Sequence, residues 1–351
     1  MDREPNPDYD AGNGRRYRIN WLAWILLGVY PPPTCLPVQP FSALRRSRRR
    51  RIDVVPVRLG VLMLRAALVV VFGVCLWTNA VAKADSPVEY LMVPSAAMGR
   101  DIPVAFRAGG PHAVVLLDDF NAAPDVSSWV TAGNAMNTLA GKGISVAAPA
   151  GGAFSLYTDW EQDGGRQWET FLSSELPDWL AANKGLAPGG HAIVGAAQGG
   201  TGALMMAAFH PDRYRYAGSM SGFLTPSATT LNGAITAGMA QYGGVDTRNM
   251  WGLPQLGRWK WHDPNTHVSL LADNNTRLWV FSPSTLTASD PAAMIGYADQ
   301  AQGSNKTFYQ HYRSVGGHNG HFDFPASGDH GWPSWGPQLA AMSGDLTAAI
   351  K

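Results

Sequence analysis

The sequence predicts an α/β fold, with a mostly parallel central sheet and helices on both faces. Three observations carry this. Short apolar runs, rich in β-branched residues and bounded by glycine or proline, alternate with stretches of helical spacing. The stretch "HAIVGAAQGGTGALMMAAFHP" (191–211) reads as a strand passing through a tight glycine turn into a helix. A histidine, His330, follows the last strand pattern late in the chain. Strand–helix alternation favours parallel pairing, because each crossover lays a helix on the sheet. A strand, a glycine turn, a helix and a late histidine are the plan of the α/β-hydrolase fold.

The elements follow in order. "HAVVLLDD" (112–119) and "GISVAAP" (143–149) read as buried strands. "RQWETFLSSELPDWLAAN" (166–183) has helical spacing, with Trp168, Phe171, Leu172, Leu176, Trp179 and Leu180 on one face. Pro177 is expected to kink that helix or end it early. "HAIVG" (191–195) is the next strand, and the helix opened by Gly199 follows it. "YRYAGSMSG" (214–222), "TRLWVFSP" (276–283) and "KTFYQHYR" (306–313) read as further strands. "PSWGPQLAAMSGDLTAAI" (333–350) closes the chain as a helix. Residues 223–275 read as irregular, an insertion over the top of the sheet within the same domain.

Composition separates the folded part from what precedes it. Hydrophobic residues make up 46% of the 351 and charged residues 15%, enough for a core. The net charge of +1 averages two unlike parts: residues 1–84 hold 13 Lys and Arg against 5 Asp and Glu, residues 85–351 hold 14 against 21. The basic excess therefore belongs to the leader, and a mildly acidic body argues against nucleic acid as a partner. "MLRAALVVVFGVCLW" (63–77) has the charge and apolar core of an export signal, and Ala82-Lys83-Ala84 offers a cleavage site. Residues 63–84 are read as a signal peptide, and the apolar run is shorter than the roughly 20 residues that span a bilayer. A secreted product, extracellular or held at the cell wall, with no stable membrane insertion after cleavage, is the expectation. Residues 1–62 fit no folded unit and are read as disordered, or as lying upstream of a true start at Met63. Residues 85–351 form the α/β-hydrolase domain. Both cysteines, Cys35 and Cys75, fall in the leader, so the mature part has neither a disulfide nor a thiol nucleophile.

The site is where the reading turns. A hydrolase of this plan carries its serine at the centre of G-x-S-x-G, and here the five residues are Gly195-Ala196-Ala197-Gln198-Gly199. The glycines stand in place and the nucleophile position holds a methyl group. The amide of Gln198 would be one oxyanion donor, with the second expected from "LLDDFNAAPD" (116–125). His330 stands where a triad histidine belongs. The loop after "TRLWVFSP" holds a single acid, Asp290, in "STLTASDPAAM" (284–294).

Several stretches together resemble one family: "GRDIPVAF", "PAGGAFSLYTDWEQ", "WETFLSSELPDWLAAN", "YAGSMSGFL", "NNTRLWV", "VGGHNGHFDFP" and "WGPQLAAMSGDL". Nearly all of residues 86–351 resembles the antigen 85 family of secreted mycobacterial mycolyltransferases. The turn "VGAAQGG" (194–200) is similar to that of the family's non-catalytic, fibronectin-binding branch. The resemblance implies an α/β-hydrolase fold with no cofactor and no metal. It implies Ala197 at the nucleophile position, His330 at the histidine position, and no glutamate in the acid loop 284–291, where Asp290 stands nearby. It implies oxyanion amides at Phe120 and Gln198. Of the sugar-holding groups of the enzymes, the aspartate matches Asp118 and a tryptophan matches Trp332, while Asn121 replaces an arginine and Ala132 an asparagine. The expected ligand contacts are thus Asp118, Asn121, Trp160, Gln198, His330 and Trp332.

Other residues were weighed against blander roles. Ser219 and Ser221 in "GSMSG" lack the elbow pattern, since Met220 holds its centre, and are read as packing or loop residues. Thr201 is expected to bond back to the preceding turn. His318, His321 and Asp323 in "GGHNGHFD" (316–323) have H-x-x-H spacing, but the interrupting Gly320 favours a loop leading to His330 over a metal site. Trp160, Trp332 and Trp335 are read as loop residues near the mouth, and the other tryptophans as core. The two functions in contention are a binding protein for fibronectin or another extracellular-matrix protein, with a cleft for carbohydrate, and a weak esterase or acyltransferase.

Overall fold

The computed structural model describes residues 86–284 and 292–351; the leader readings for residues 1–62 and 63–84, and Asp290, lie outside these. Eight strands form one sheet: β1 (Val88–Ser95), β2 (Arg100–Arg107), β3 (Ala113–Leu117), β4 (Ser145–Pro149), β5 (His191–Ala196), β6 (Tyr214–Met220), β7 (Arg277–Phe281) and β8 (Gly320–Asp323). Their spatial order is β1-β2-β4-β3-β5-β6-β7-β8. The pairs β1–β2 and β2–β4 are antiparallel, and every later pair is parallel. The helices of nine residues or more are α1 (Leu176–Lys184), α2 (Gln198–Phe209), α3 (Thr229–Gly243), α4 (Ala292–Ser314) and α5 (Trp332–Ile350).

The central strands are buried on both faces, which explains their uninterrupted apolar runs. Alternation along β3 sends Val114 and Leu116 into one core layer with Trp335, Leu339 and Met342 of α5. Val115 and Leu117 enter the opposite layer with Leu204 and Ala207 of α2 and with Phe171 and Leu176. The chain leaves β3 for β4 on one side and returns to β5 on the other. The C-terminal ends of β3 and β5 are therefore the switch point, where ligands sit in open α/β sheets.

Four expectations about the elements are corrected. "KTFYQHYR" is the last part of α4, not a strand; buried Ala301, Phe308 and Tyr312 recur at helical spacing, and the Phe308 and Tyr312 rings lie 6.3 Å apart. "GGHNGHFD" ends in the edge strand β8, paired to β7 from Leu278↔Gly320 to Phe281↔Asp323, rather than in a loop. Residues 223–275 are mostly helical: α3 is followed by short helices at Arg248–Trp251, Arg258–Trp261 and Val268–Asp273. Pro177 does not end its helix. A π-helical turn, Phe171–Glu175, precedes it, and Pro177 sits in the first turn of α1, where its missing N–H costs little. The antiparallel strands β1 and β2 were not anticipated at all.

Candidate functional site

The turn between β5 and α2 has the geometry of a nucleophile elbow. Ala197 has φ 47° and ψ −116°, a strained conformation for any residue with a side chain. The flanking glycines allow it. A Cβ on Gly195 would lie 2.1 Å from the carbonyl of Gly199, and one on Gly199 would lie 2.5 Å from the Leu117 oxygen. The elbow thus presses directly on the end of β3. The Ala197 N–H donates to Met220 O at 2.9 Å, and its carbonyl accepts from Gly200 N–H at 3.0 Å. At the apex stands a methyl group, 2% exposed.

Gln198 does more than the sequence reading assigned to it. Its Oε1 accepts from the N–H groups of Ser155 and Leu156, both at 3.0 Å. Its Nε2 donates to Asp119 O at 2.7 Å and to Gly152 O at 2.8 Å. The Asp119 carbonyl and the Phe120 N–H belong to one trans peptide, so fixing the carbonyl aims that N–H the opposite way. Gln198 therefore orients the peptide that carries the Phe120 N–H, an amide that the sequence reading pairs with the N–H of Gln198 itself as expected oxyanion donors.

The same bonds hold a strained loop. Phe154, Leu156 and Tyr157 all have φ near 50°, and Gln198 ties down the two amides between them. Tyr157 accepts a hydrogen bond on its hydroxyl from Asp118 N–H at 2.9 Å. Sequence reasoning missed Ser155 and Tyr157 as parts of the site, because nothing in "GGAFSLYTDW" marks positive-φ residues.

Asp118 is buried. Its Oδ1 accepts from Ser127 Oγ at 2.8 Å and from Trp129 N–H at 3.2 Å, while Oδ2 is buried without a hydrogen-bond partner among the described residues. Burial pushes its carboxyl up to about 7, and burial raises neighbouring Asp119 to about 6. Asp118 and Gln198, read from the sequence as ligand contacts, are both fully buried, with Asp118 Oδ1 and the Gln198 amide bonded within the turn. Trp160 is 3% exposed, donates from Nε1 to Ser155 O at 3.0 Å, and lies under the Arg166 guanidinium. Trp335 is in α5, not a loop, 1% exposed, with Nε1 donating to Ser221 Oγ at 3.2 Å.

His330 is 6% exposed, with its ring 5.3 Å from Trp335 and 6.2 Å from Phe223. Phe223 leads on to Phe120, 5.6 Å away, and Trp335 to Trp332, 5.2 Å away. Phe120 and Trp332 pack on the core cluster that contains Ala197. A run of ring contacts thus links Phe120, Phe223, His330, Trp335 and Trp332. Phe120 and Trp332 are half-buried and Asn121 exposed, so these three are the expected contacts that reach solvent. Thr201 does not bond to its own turn. It donates to Phe223 O at 3.1 Å and accepts from Phe223 N–H at 2.9 Å, pinning the loop after β6.

Among the described residues no group of three His, Cys, Asp or Glu side chains is placed to hold a metal. His321 stacks on Trp279 at 3.9 Å. No helix among the described residues is long and apolar enough to cross a membrane.

Comparison with known proteins places this geometry. The family model "Esterase" matches residues 95–346. The mycolyltransferase Ag85B of Mycolicibacterium smegmatis is 43% identical over 305 residues, covering 82% of this chain and 93% of that one. The chain belongs to the antigen 85 family. Within the family, the MPT51/MPB51 antigen of Mycobacterium bovis is 74% identical over 279 residues, covering 80% of this chain and 93% of that protein. The crystal structure of Mycobacterium tuberculosis MPT51 superposes with a TM-score of 0.74 at 76% identity, covering 76% of this chain and all of that one. A fluorophosphonate-binding serine hydrolase of Staphylococcus aureus shares the fold, with a TM-score of 0.60 at 12% identity. The antigen 85 resemblance and the α/β-hydrolase fold read from the sequence are both borne out.

Proposed function

We propose that this antigen 85 family member is a secreted, non-enzymatic binding protein that keeps the hydrolase scaffold without acyl transfer. One observation carries the reading: the elbow backbone holds its strained form at Ala197, where no atom can attack a carbonyl. Without the nucleophile only the slow contribution of binding and oxyanion groups is left. The partner expected from the family branch is an extracellular-matrix protein such as fibronectin. Carbohydrate contact at the elbow mouth would rest on Trp332 and Asn121, which reach solvent while Asp118 and Gln198 are fully buried.

The test incubates the protein with a fluorophosphonate probe and with an activated acyl ester. The expected result is no labelling and no turnover above background. Stoichiometric labelling that maps to one serine or threonine would overturn the reading and favour a weak esterase. Immobilised fibronectin titrated with the protein checks the partner: saturable binding supports it, and binding no stronger than to albumin removes it.

A further inference from the structure

A second concave site lies beside the strained loop, where the start of β2 meets the segment between β4 and α1. It encloses about 380 Å³, within the range of small-molecule sites, roughly 300–1,000 Å³. Two arginines line it, Arg100 from β2 and Arg166 from that segment, together with the Trp168 indole. Asp163 is the one carboxylate among the described lining residues, so the wall carries an excess of positive charge. Each guanidinium is set over an aromatic ring. Arg100 Cζ lies 5.9 Å from the centre of Trp168, and Arg166 Cζ lies 4.5 Å from that of Trp160. Contact with a ring face orients a guanidinium without using its N–H donors.

The two arginines differ in what they hold. Arg166 braces the strained loop: its Nε donates to Asp163 Oδ2 at 3.1 Å, and its Nη1 donates to the carbonyls of Ala153 at 3.3 Å and Phe154 at 3.0 Å. Asp163 is committed in turn, since its Oδ1 accepts from Gly165 N–H at 3.0 Å. Arg100 braces nothing of the kind. Among the described residues its hydrogen-bond contact is Met98 Sδ at 3.9 Å, and no carboxylate pairs with it. Of the five donors on each guanidinium, Nη2 of Arg166 and nearly all of those on Arg100 are therefore unused at the cleft. Gly151 leaves the space beside Arg100 open; a Cβ there would lie 3.7 Å from Nη1. A rigid arginine and an unpaired one on the same wall make a receptor for an oxyanion.

From this juxtaposition we propose that the cleft binds the phosphate group of a small, soluble organic phosphate. A tetrahedral dianion takes donors from two guanidiniums at once, whereas one bidentate fork already fills a carboxylate. The remaining space holds a small organic moiety beside the phosphate. Neither Asn121 nor Trp332 of the elbow mouth lines the cleft, and the proposal does not depend on the elbow's reading.

Arg100→Met makes a selective test possible: it removes the unpaired guanidinium, keeps an unbranched stem and breaks no ion pair. Phenyl phosphate, benzoate and phenol are titrated into the protein by calorimetry at low salt and about pH 7.5, where a phosphate monoester is mostly a dianion. The expected result is saturable binding of phenyl phosphate with a Kd of about 1 mM or below, benzoate at least about tenfold weaker, and no binding of phenol. Arg100→Met should weaken phenyl phosphate at least about tenfold. Arg100→Lys, which keeps the charge and loses the fork, should weaken it by a smaller factor, with melting behaviour unchanged in both variants. Absence of saturable phenyl phosphate binding, benzoate binding of equal strength, or full binding in Arg100→Met would each overturn the proposal. Vesicles of phosphatidic acid carry the same group on a lipid. Arg100-dependent sedimentation with them, without binding of phenyl phosphate, would overturn the soluble ligand in favour of a headgroup.

Discussion

Two turns at the same end of the sheet use their residues in opposite ways. The elbow after β5 and the loop after β6 start side by side, since Ala196 pairs with Met220. Each then places a non-glycine residue at positive φ, Ala197 at 47° and Ser221 at 55°. At the elbow the polar groups are spent internally: four hydrogen bonds to the Gln198 side chain, and the Asp118 carboxyl on Ser127 and Trp129. In the second turn Trp335 bonds to Ser221, Thr201 to Phe223, Leu224 N–H donates to Ser304 and Ser227 donates to Asp263. From Thr225 onward its side chains line an open crevice. At the elbow one side chain, Gln198, holds the strained backbone; in the second turn the holding groups come from several elements.

The sharpest way to break the comparison is to overfill the elbow. Gly195→Ala would bring a methyl to within 2.1 Å of backbone atoms that cannot swing away. The expected loss is at least about 4 kcal/mol, read as the shift of the urea midpoint or as failure to accumulate folded protein. A loss below about 1 kcal/mol would show that the turn is not tight.

Gln198→Ala comes next. It removes four hydrogen bonds and leaves the Ser155 and Leu156 amides without their acceptor. Orphaned buried groups cost about 1–3 kcal/mol each, with partial relief from water, so about 2–4 kcal/mol is expected from denaturant curves. Hydrogen exchange should quicken at residues 152–157 before it does in α3.

How much of this was legible beforehand follows the same division. Apolar period and glycine punctuation reported the parallel centre of the sheet, the elbow and α5, because those patterns are set by local packing. "KTFYQHYR" misled because its aromatic run satisfies a strand template over eight residues, and only the buried Ala301 upstream shows the helical period. Pro177 misled because a π turn absorbs what an α-helix cannot. At the site, the missing nucleophile was legible from one letter. The inward turn of Asp118 and Gln198 was not, because their partners lie between 9 and 79 positions away in sequence.

The buried carboxyl of Asp118 gives the elbow a pH signature. Its folded pKa, raised by burial to about 7, exceeds the ordinary value of 3.8. The folded protein therefore keeps a proton that the unfolded chain has released. The stability this contributes is complete below pH 4 and is lost as pH rises through 7. His191, lowered by burial to about 4, has the opposite slope, losing stability as pH falls from 6.5 through 4. In Asp118→Asn the first term disappears. The variant's melting temperature relative to wild type should therefore climb between pH 4 and 7 and level off above. A difference independent of pH would place the carboxyl in water.

Ala197→Ser asks whether the elbow framework is sufficient for chemistry. The added hydroxyl leaves the φ of 47° as strained as before, so stability should change by less than about 1 kcal/mol. Acyl transfer should stay at least about 10⁴-fold below that of a complete triad, since no glutamate stands in residues 284–291 to orient His330. Transfer at the rate of a catalytic relative would show that another group supplies the acid.

The smallest effect tests the open side of the comparison. Gly303 sits within the 23-residue helix α4, yet a Cβ there meets no atom within 4 Å. Glycine inside a helix costs about 0.8–1.0 kcal/mol relative to alanine, chiefly through the freedom it has in the unfolded chain. With no contact to offset that gain, Gly303→Ala should stabilise the protein by about 0.5–1 kcal/mol, read as a small rise in the urea midpoint at constant slope. The same single carbon is thus expected to destroy the fold at Gly195 and to strengthen it at Gly303. If Gly303→Ala instead destabilises, the face of α4 above the crevice is filled, and the second turn is as closed as the elbow.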